Sequence, residues 1–154
     1  MAYKQPESVL VVIHTRELEV LLLERARQPG LWQSVTGSRE GDETPLATAR
    51  REVLEETGID CQHYALSDWR IENTYEIFAS WRHRYAPGTT HNTERVFALE
   101  LPGRIAIATA PDEHRAHCWL PWEEAAERCF SWSNRDAIRL LSVLAMSKAP
   151  GPTP

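Results

Sequence analysis

The chain has 154 residues, of which 42% are hydrophobic and 25% are charged, a composition typical of one globular domain with its own apolar core. Its formal net charge of −5 excludes the broad positive surface that nonspecific binding to nucleic acids or anionic membranes requires, so we expect neither as a partner. An anionic small molecule would have to be held locally, by a few cationic side chains or by a metal ion.

The first part of the chain predicts two strands and a helix. Val9–Ile13 and Glu19–Glu24 are short apolar runs separated by polar residues, a pattern typical of two buried strands of one sheet. From residue 44 to residue 57 the apolar spacing becomes helical, with Thr44 as the N-cap and Gly58 as a left-handed C-terminal residue. The side chains predicted to face the core are Leu46, Ala49, Val53 and Leu54.

The second part predicts further strands and two helices. Segments 63–69 and 75–85 have strand character, and the turn sequence APGTTHN would pair the second of them with residues 93–101 as a hairpin. Another short strand precedes two helices, and Ser133 with Asp136 fits a capping box at the start of the last helix. Because strands and helices interleave, we predict an α/β layered domain rather than a helical bundle or a β-barrel.

The cysteines and the chain ends favour a cytoplasmic protein. The three cysteines are scattered and odd in number, which is typical of reduced thiols. The apolar run near the N-terminus is too short for a signal peptide or a membrane span. The terminal sequence KAPGPTP contains three prolines and cannot hold a helix. We therefore predict one domain over residues 1–147 and a disordered tail over residues 148–154.

The predicted helix contains the stretch REVLEETG, which concentrates negative charge on one element. Glu52, Glu55 and Glu56 stand three and four residues apart, and like charges at that spacing repel by a few tenths of a kcal/mol per pair. We predict them on the side opposite most of the apolar stripe. A solvated acidic face would leave this repulsion uncompensated, whereas a Mg²⁺ ion, which prefers oxygen ligands, would relieve it.

The wider stretch GSREGDETPLATARREVLEETGI, from Gly37 to Ile59, resembles the Nudix box at every defining position. Glu43 follows Gly37 by six residues, and the sequence Arg51–Glu52 comes at the spacing of that box. The resemblance implies a Nudix fold, in which a mixed β-sheet is sandwiched between helices. It also implies an enzyme that hydrolyses a nucleoside diphosphate linked to another group, by substitution of water at phosphorus.

The resemblance also implies roles for the charged residues of the box. Arg51 would pair with Glu43 and brace the start of the helix, and we count Arg51 with the catalytic group. Glu52 and Glu56 would bind the metal directly. Glu55 would bind the metal or orient the water. The expected cofactor is Mg²⁺, with Mn²⁺ as an alternative.

A second acidic position lies in the late loop PDEHRAHCWL. Glu113 matches an acidic residue that often completes a Nudix metal site, so it is our candidate for a further metal ligand or the general base. An exposed loop glutamate is the simpler interpretation. His114 and His117 lie beside it, but a zinc site there lacks a cysteine or a third histidine at suitable spacing.

Several shorter stretches, including YKQP, WQSVTGS, YEIF, RHRYAPGTTHNTE and SWSNRDAI, resemble the bacterial dihydroneopterin triphosphate pyrophosphohydrolases. That branch converts 7,8-dihydroneopterin triphosphate to the monophosphate and pyrophosphate, an early step towards folate. The alternatives are a Nudix hydrolase of nucleoside triphosphates or related nucleotides, and a catalytically inactive nucleotide-binding module. His91 departs from the branch, which often has another basic residue there, and this weakens a phosphate contact from that turn.

The branch resemblance implies which residues contact substrate. Lys4 and Arg25 would supply positive charge to the triphosphate, and Thr36 would hydrogen-bond to substrate. Ser131 would do so from the loop before the last helix. The pterin end would be lined by Tyr75, Glu76, Ile77 and Phe78. The simpler interpretations are that Lys4 and Arg25 are surface cations and that Thr36 and Ser131 only shape turns. Tyr75, Ile77 and Phe78 would then be strand core.

Aromatic and basic residues near these stretches leave further alternatives open. Trp32 and Trp81 could stack on a flat heterocycle, although core packing is the commoner role of tryptophan. The basic cluster from Arg82 to Tyr85 could bind anions or could only cover a sheet edge.

Overall fold

The computed structural model describes residues 2–148 of the chain. Within that range no helix is both long enough and apolar enough to cross a membrane. The described residues contain seven strands, three α-helices and two short 3₁₀ helices, at Cys61–His63 and Ala79–Arg84. The strands are β1 (Glu7–Thr15), β2 (Glu19–Arg25), β3 (Trp32–Gln33), β4 (Val35–Ser38), β5 (Ala65–Glu76), β6 (His91–Leu101) and β7 (His114–Pro121). The helices are α1 (Pro45–Thr57), α2 (Trp122–Arg128) and α3 (Trp132–Lys148).

The seven strands form one mixed sheet around β1. Strand β1 pairs in parallel with β6 along its whole length and antiparallel with β2, and the order is β3-β2-β1-β6-β5. Alternate residues of β1 face opposite sides. Val9, Val11 and Ile13 pack with α1, whereas Leu10 and Val12 pack with α2 and α3. The predicted mixed sheet between helices is confirmed.

One edge of β1 is shared by two strands. Strand β4 pairs with residues 8–11 of β1, whereas β2 pairs with β1 at His14. The two strands therefore diverge toward the start of β1. A cleft opens at this place and is lined by residues of β1, β2, β3 and β4. Because β2 and β4 diverge here, polar side chains can reach a place in the sheet that a continuously paired strand would fill.

Helix α1 begins and ends as predicted, but its buried face differs. The Thr44 hydroxyl accepts a hydrogen bond from the Ala47 N–H at 3.1 Å, and Gly58 has φ of 77°. Leu46 and Leu54 are 39% and 53% exposed. The buried side chains are Thr48, Ala49, Glu52, Val53, Glu56 and Thr57.

The prediction that Glu52 and Glu56 lie opposite the core-facing stripe was therefore wrong. Glu52 and Glu56 continue the row of Ala49 and Val53 at spacings of three and four residues, so all four share one side of the helix. Part of this side packs on apolar strand residues, and the rest faces the split beside β4. The sequence pattern was misread because polar side chains fill half of the inward stripe.

The strand predicted at residues 75–85 was also wrong. Strand β5 starts at Ala65, two residues later than the strand predicted at 63–69, because His63 ends a 3₁₀ helix. It continues to Glu76, where its pairing with β6 ends opposite His91. The following residues form a 3₁₀ helix, Ala79–Arg84, because local hydrogen bonds replace the ladder. The Trp81 N–H donates to the Phe78 carbonyl at 2.8 Å, for example. The antiparallel pairing with β6 was predicted, but with the wrong strand boundaries.

Helix α3 starts two residues earlier than the predicted capping box. Ser131 is the residue before the helix, and its hydroxyl accepts a hydrogen bond from the Asn134 N–H at 3.2 Å. Ser133 lies inside the helix and is buried, and Asp136 is exposed. At its other end α3 includes Lys148, where the disordered tail was predicted to begin. The remainder of that predicted tail lies outside the described residues.

Asn134 joins α3 to the connection between β3 and β4. Its side-chain oxygen accepts from the Ser34 N–H at 2.8 Å, and its amide nitrogen donates to the Ser34 hydroxyl at 2.9 Å. Both residues are 1% exposed. Because both residues are buried, these two bonds fix the position of β4 and with it one wall of the cleft.

Replacing Asn134 by alanine should lower the free energy of unfolding by about 2–3 kcal/mol, because it leaves the buried Ser34 N–H without an acceptor. Urea denaturation followed by circular dichroism would measure the change. Asp136→Ala is the matched control, and we expect it within about 0.5 kcal/mol of the unmodified protein because Asp136 is exposed. Equal losses in both variants would instead support the capping box.

Candidate active site

The cleft has a volume of about 1480 Å³ and combines three kinds of polar group. Glutamates of α1 and of the loop before β7 form an acidic side. Cationic side chains from the N-terminus, β2 and the 3₁₀ helix at Ala79–Arg84 form a basic side. A set of buried polar side chains from β1, β5, β6 and α3 forms a third region.

Glu52 reaches the cleft past β4 because Gly37 has no side chain. A Cβ atom at residue 37 would lie 2.0 Å from the carboxylate carbon of Glu52, well inside van der Waals contact. Glu52 is 8% exposed and accepts a hydrogen bond from Arg51 Nη1 at 2.9 Å. Burial nevertheless raises the pKa of Glu52 to about 7. The box glycine therefore acts by leaving room for a carboxylate.

Glu56 is more deeply buried, at 1% exposure. Its Oε2 atom has no hydrogen-bond partner among the residues that the structure describes, and its Oε1 atom lies 3.5 Å from His114 Nε2. Burial and the neighbouring Glu52 and Glu113 carboxylates raise the pKa of Glu56 well above its ordinary value. A buried carboxylate oxygen without a donor is costly unless a proton or a cation compensates it. This atom therefore fits a metal-binding role.

Three side chains meet at this point of the cleft. One ligand atom each from Glu56, Glu113 and His114 lie within 4.8 Å of one another. Glu113 is exposed, and its carbonyl accepts from the Ala26 N–H at 2.9 Å, which fixes the loop. The structure thus brings Glu56 and Glu113 together as the sequence predicted. Carboxylate oxygens suit Mg²⁺ or Mn²⁺ better than they suit softer metals.

His114 was considered from sequence only as a weak zinc ligand. It is 3% exposed, and its Nε2 atom lies 3.2 Å from the side-chain nitrogen of Gln33. Burial and the positive charge of Arg25 lower its pKa to about 4, so the imidazole is neutral at physiological pH. A neutral imidazole beside Glu56 can donate a hydrogen bond from one ring nitrogen and accept one at the other without adding a charge to the cleft.

Arg51 organises the outer side of the acidic group. It donates to Glu43 at 2.8 and 3.0 Å, to the Ser38 carbonyl at 2.9 Å and to Glu55 at 3.2 Å. The pairing with Glu43 that the resemblance implied is present. Glu55 is half exposed, and neither it nor Arg51 is among the described residues that line the cleft. Both lie on the outer side of the acidic group, where Arg51 also pairs with Glu52.

The basic side contains Lys4 and Arg25, as predicted, together with Arg84. The Arg25 guanidinium lies 4.8 Å from the centre of the Trp81 ring and donates to Gln33 and Gln28. Burial and the neighbouring Arg84 lower the pKa values of both Lys4 and Arg25. Cations gathered in this way favour an anionic ligand. Arg84 came from the basic cluster whose role was left open.

The predicted stretch from Tyr75 to Phe78 divides between several roles. All four residues line the cleft. Ile77 is buried, whereas Phe78 is 56% exposed and contacts Trp81 edge to face. Glu76 is paired with Arg82, which leaves its carboxylate partly neutralised. Tyr75 hydrogen-bonds within the third polar region.

Thr36 and Ser131 also line the cleft, but both hydroxyls already have protein partners. Thr36 donates to the Val9 carbonyl at 2.9 Å, and its backbone hydrogen-bonds to Glu56. Ser131 caps α3. Each hydroxyl can accept a further hydrogen bond through its second lone pair.

Sequence reasoning missed most of the third polar region, which contains Ser8, Asn92, Glu94, Ser133 and Asn134. One signal was available for the strand residues. Val96 and Ala98 face the core, so a strand alternation extended backwards places residues 92 and 94 on the same buried side. A polar residue at a predicted core position indicates either a hydrogen-bond network or a ligand.

The family model for the NUDIX domain matches residues 4–141 of this chain. The chain belongs to the Nudix family. It is 48% identical over 139 residues to the dihydroneopterin triphosphate diphosphatase of Escherichia coli, a match covering 88% of this chain and 91% of that protein. It is 41% identical to the protein of the same name from Haemophilus influenzae, covering 90% and 89%. These relatives confirm the resemblance predicted from the sequence.

The fold agrees with this Nudix assignment. The structure of the Escherichia coli dihydroneopterin triphosphate pyrophosphohydrolase matches with a TM-score of 0.87 and 45% identity, covering 94% of this chain and 99% of that one. Nudix hydrolases in general use divalent metals, and the acidic group of this chain has the composition of such a site.

Gly37→Ala should weaken metal binding at least tenfold and reduce activity with it, because the new methyl group occupies the position of the Glu52 carboxylate. Mn²⁺ titration by electron paramagnetic resonance would measure the binding. Gly103→Ala is the control, since a Cβ there meets nothing within 4 Å. Unchanged Mn²⁺ affinity in Gly37→Ala would show that metal binding does not require the Glu52 carboxylate to occupy the space beside residue 37.

The Arg51–Glu43 pair should make stability depend on pH. Hydrogen bonds from Arg51 hold the pKa of Glu43 at about 2, below the value of 4.5 expected in the unfolded chain. The pair therefore stabilises the fold above pH 4.5, and this contribution is lost as the pH falls towards 2. Glu43→Gln should cost about 1–2 kcal/mol at pH 7 and progressively less below pH 4.5.

Urea denaturation between pH 7 and pH 3 would test this dependence. Glu40→Gln removes an exposed glutamate 3.6 Å from the same arginine and should have almost no effect. A cost for Glu43→Gln that does not change with pH would contradict the electrostatic explanation.

Proposed function

We propose that this chain hydrolyses 7,8-dihydroneopterin triphosphate to dihydroneopterin monophosphate and pyrophosphate, with Mg²⁺ as its cofactor and Mn²⁺ as an alternative. The observation that carries the proposal is the presence of buried carboxylates and clustered cations in one cleft of a Nudix domain. The relatives named above support the choice of substrate, since they carry the name of that activity over nearly the whole chain. We place the protein in the cytoplasm, in keeping with its free cysteines.

The proposed metal ligands are Glu52, Glu56 and Glu113. The unpartnered Oε2 of Glu56 and the proximity of Glu113 support these two ligands, and Glu52 is included because it is buried beside Glu56 on the same side of α1. A divalent cation held there would neutralise phosphate oxygens and lower the pKa of a bound water. The protein's contribution is to hold three carboxylates ready, two of them on one rigid helix, so that little reorganisation accompanies binding.

We propose that Lys4 and Arg25 hold the phosphates, joined by Arg84. All three line the cleft, and the two predicted cations have pKa values lowered by burial and by Arg84. An incoming triphosphate would relieve that repulsion. Thr36, whose backbone hydrogen-bonds to Glu56, would place a polyphosphate oxygen between the acidic and basic sides.

The proton acceptor for the attacking water is proposed to be Glu113. Its carboxylate is exposed to the cleft, whereas the carboxylates of Glu52 and Glu56 are buried. His114 lies beside it as a neutral imidazole and would orient the Glu113 and Glu56 carboxylates by hydrogen bonding, while the proton stays on Glu113 until it exchanges with solvent. Glu55 and Arg51 are proposed to act as positioning residues, because Arg51 links Glu55, Glu43 and Glu52 outside the cleft.

Two alternatives predict different outcomes. A hydrolase of nucleoside triphosphates would use the same acidic side and differ only at the ring-binding end. A binding module without catalysis would not need Glu56 to be buried with an unpartnered oxygen, and this observation favours the enzyme.

Glu56→Gln should reduce turnover by about a thousandfold or more, because it removes a metal-binding charge while keeping the shape of the side chain. The substitution also removes a buried charge, so we expect an unchanged or slightly higher melting temperature for the metal-free protein at pH 8. Pyrophosphate release from dihydroneopterin triphosphate, dGTP and dATP would be measured for both proteins. Glu124→Gln, at an exposed position of α2, should leave all rates unchanged.

Dihydroneopterin triphosphate should have the highest kcat/KM of the three compounds in the unmodified protein. A higher kcat/KM for a nucleotide would refute the substrate and retain the reaction class. Unchanged turnover in Glu56→Gln would refute the active site itself.

A further inference from the structure

Strand β6 carries two buried polar side chains that the metal and the phosphates do not explain. Asn92 and Glu94 are 2% and 4% exposed, and both line the cleft. They stand two residues apart on one strand, so they face the same side about 7 Å from one another. Each keeps a buried acceptor atom, Asn92 Oδ1 and Glu94 Oε1, that has no hydrogen-bond partner within the described part of the chain.

The neighbouring donors are already committed elsewhere. The side-chain nitrogen of Asn92 donates to the Ser8 hydroxyl at 2.7 Å and to the Tyr75 hydroxyl at 3.0 Å. Tyr75 in turn donates to Glu94 Oε2, at 3.5 Å, and Ser133 also hydrogen-bonds to Glu94. These contacts fix both side chains in place. They leave the two buried acceptors, Asn92 Oδ1 and Glu94 Oε1, without a partner among the described residues at this wall of the cleft.

Asn92 and Glu94 lie two strands away from the acidic side of the cleft, so the spacing of the strands gives the distance between them. Across the sheet Ser38 of β4 is opposite Ser8 of β1, and Ser8 is opposite Glu94 of β6. With strands about 4.8 Å apart, the backbone at Glu94 lies about 10 Å from β4, next to which Glu52 enters the cleft. A ligand with phosphates at the metal would therefore extend its other end towards Asn92 and Glu94.

Flat apolar surface lines the same cleft. Phe78 and Trp132 both line the cleft and are large side chains exposed by 56% and 48%. Aromatic faces of this kind stack on planar heterocycles. The combination of exposed aromatic faces and buried acceptors is typical of a site for a planar ring that carries N–H groups.

We propose that Glu94, supported by Asn92, reads the ring edge of the substrate and selects a 2-amino-4-oxo pyrimidine edge, which pterins and guanine share. That edge presents a ring N–H beside an exocyclic amino group, and a carboxylate accepts such a pair of donors side by side. Adenine and cytosine present a ring nitrogen acceptor beside their amino group. A carboxylate would place a lone pair against that nitrogen, so these bases would be disfavoured.

The inference rests on the proposed function for its assumption that this cleft holds the substrate. It adds the residue and the hydrogen-bond pattern by which the ring is recognised. Burial raises the pKa of Glu94 to about 7, and two N–H donors from a ring would favour the ionised form. A carboxylate that served only the fold would not need a free oxygen facing the cleft.

The test is Glu94→Gln, in which the side chain keeps its shape but offers one acceptor and one donor. We expect kcat/KM for dihydroneopterin triphosphate and for dGTP to fall by about 10- to 100-fold. We expect kcat/KM for dATP to stay the same or rise. Tyr75→Phe, which removes the hydroxyl that orients Glu94, should shift the same ratio in the same direction by a smaller factor. Glu100→Gln, at an exposed position of the same strand, is the control and should change nothing.

A binding measurement separates this inference from the proposed function. Isothermal titration with neopterin, which has no phosphates, and with adenosine would be carried out without metal. The unmodified protein should bind neopterin more tightly than adenosine, and Glu94→Gln should lose at least tenfold in neopterin affinity only.

If the unmodified protein fails to hydrolyse dihydroneopterin triphosphate but its neopterin affinity depends on Glu94, the proposed function is wrong and ring recognition stands. If Glu94→Gln lowers kcat/KM for all three triphosphates equally, or leaves neopterin affinity unchanged, ring recognition by Glu94 is overturned. If Glu94→Gln is unstable, the same kcat/KM ratios and the same neopterin affinity measured in Tyr75→Phe decide the question.

Discussion

Glu52 and Glu56 are buried side by side at the split in the sheet, where β1 pairs first with β4 and then with β2. Each buried carboxylate costs several kcal/mol unless a partner compensates it, and Glu52 and Glu56 also repel one another. The surrounding residues accommodate these two buried carboxylates. Gly37 leaves the space, Arg51 compensates the outer carboxylate, and the inner one keeps an oxygen free. A fold that depended only on stability would place apolar side chains here.

The cost of burying Glu52 and Glu56 also explains where the cationic side chains lie. Arg51 lies outside the cleft and bonds to Glu43, Glu52 and Glu55, so the box is held together without placing a cation at the metal position. Lys4 and Arg25 lie across the cleft and are not bonded to the buried carboxylates. The cleft therefore keeps its acidic and basic groups apart, which suits the metal and phosphates of the proposed substrate complex.

The box was readable from sequence because its roles are local. The spacing of Glu43 and Arg51 along one loop and helix brings them together in the structure. The cap at Thr44 and the left-handed Gly58 were also correct for this reason. The burial of Leu46 and Leu54 was predicted wrongly, because which side of a helix is inside depends on how the helix lies on the sheet.

The alternation of β6 could have indicated Asn92 and Glu94, but the third polar region as a whole could not be predicted because its parts come from distant segments. Ser8, Tyr75, Glu94 and Ser133 become neighbours only through the sheet order and the position of α3. Nor does a pattern of alternating residues show whether a strand will end at Glu76 or continue to Tyr85. At that point Arg82 Nε donates to the Ile77 carbonyl at 3.0 Å, and this local contact accompanies the end of the ladder.

The parallel pairing of β1 with β6 has a consequence for how the chain is made. Every residue of β1 pairs with the residue 86 positions later, from Glu7 with Thr93 to Thr15 with Leu101. During synthesis at roughly 5–20 residues per second, the apolar β1 must wait several seconds for this neighbour to emerge. Contacts so far apart in sequence also slow folding. The strand at the centre of the finished sheet is therefore the segment of the nascent chain that most needs protection from aggregation.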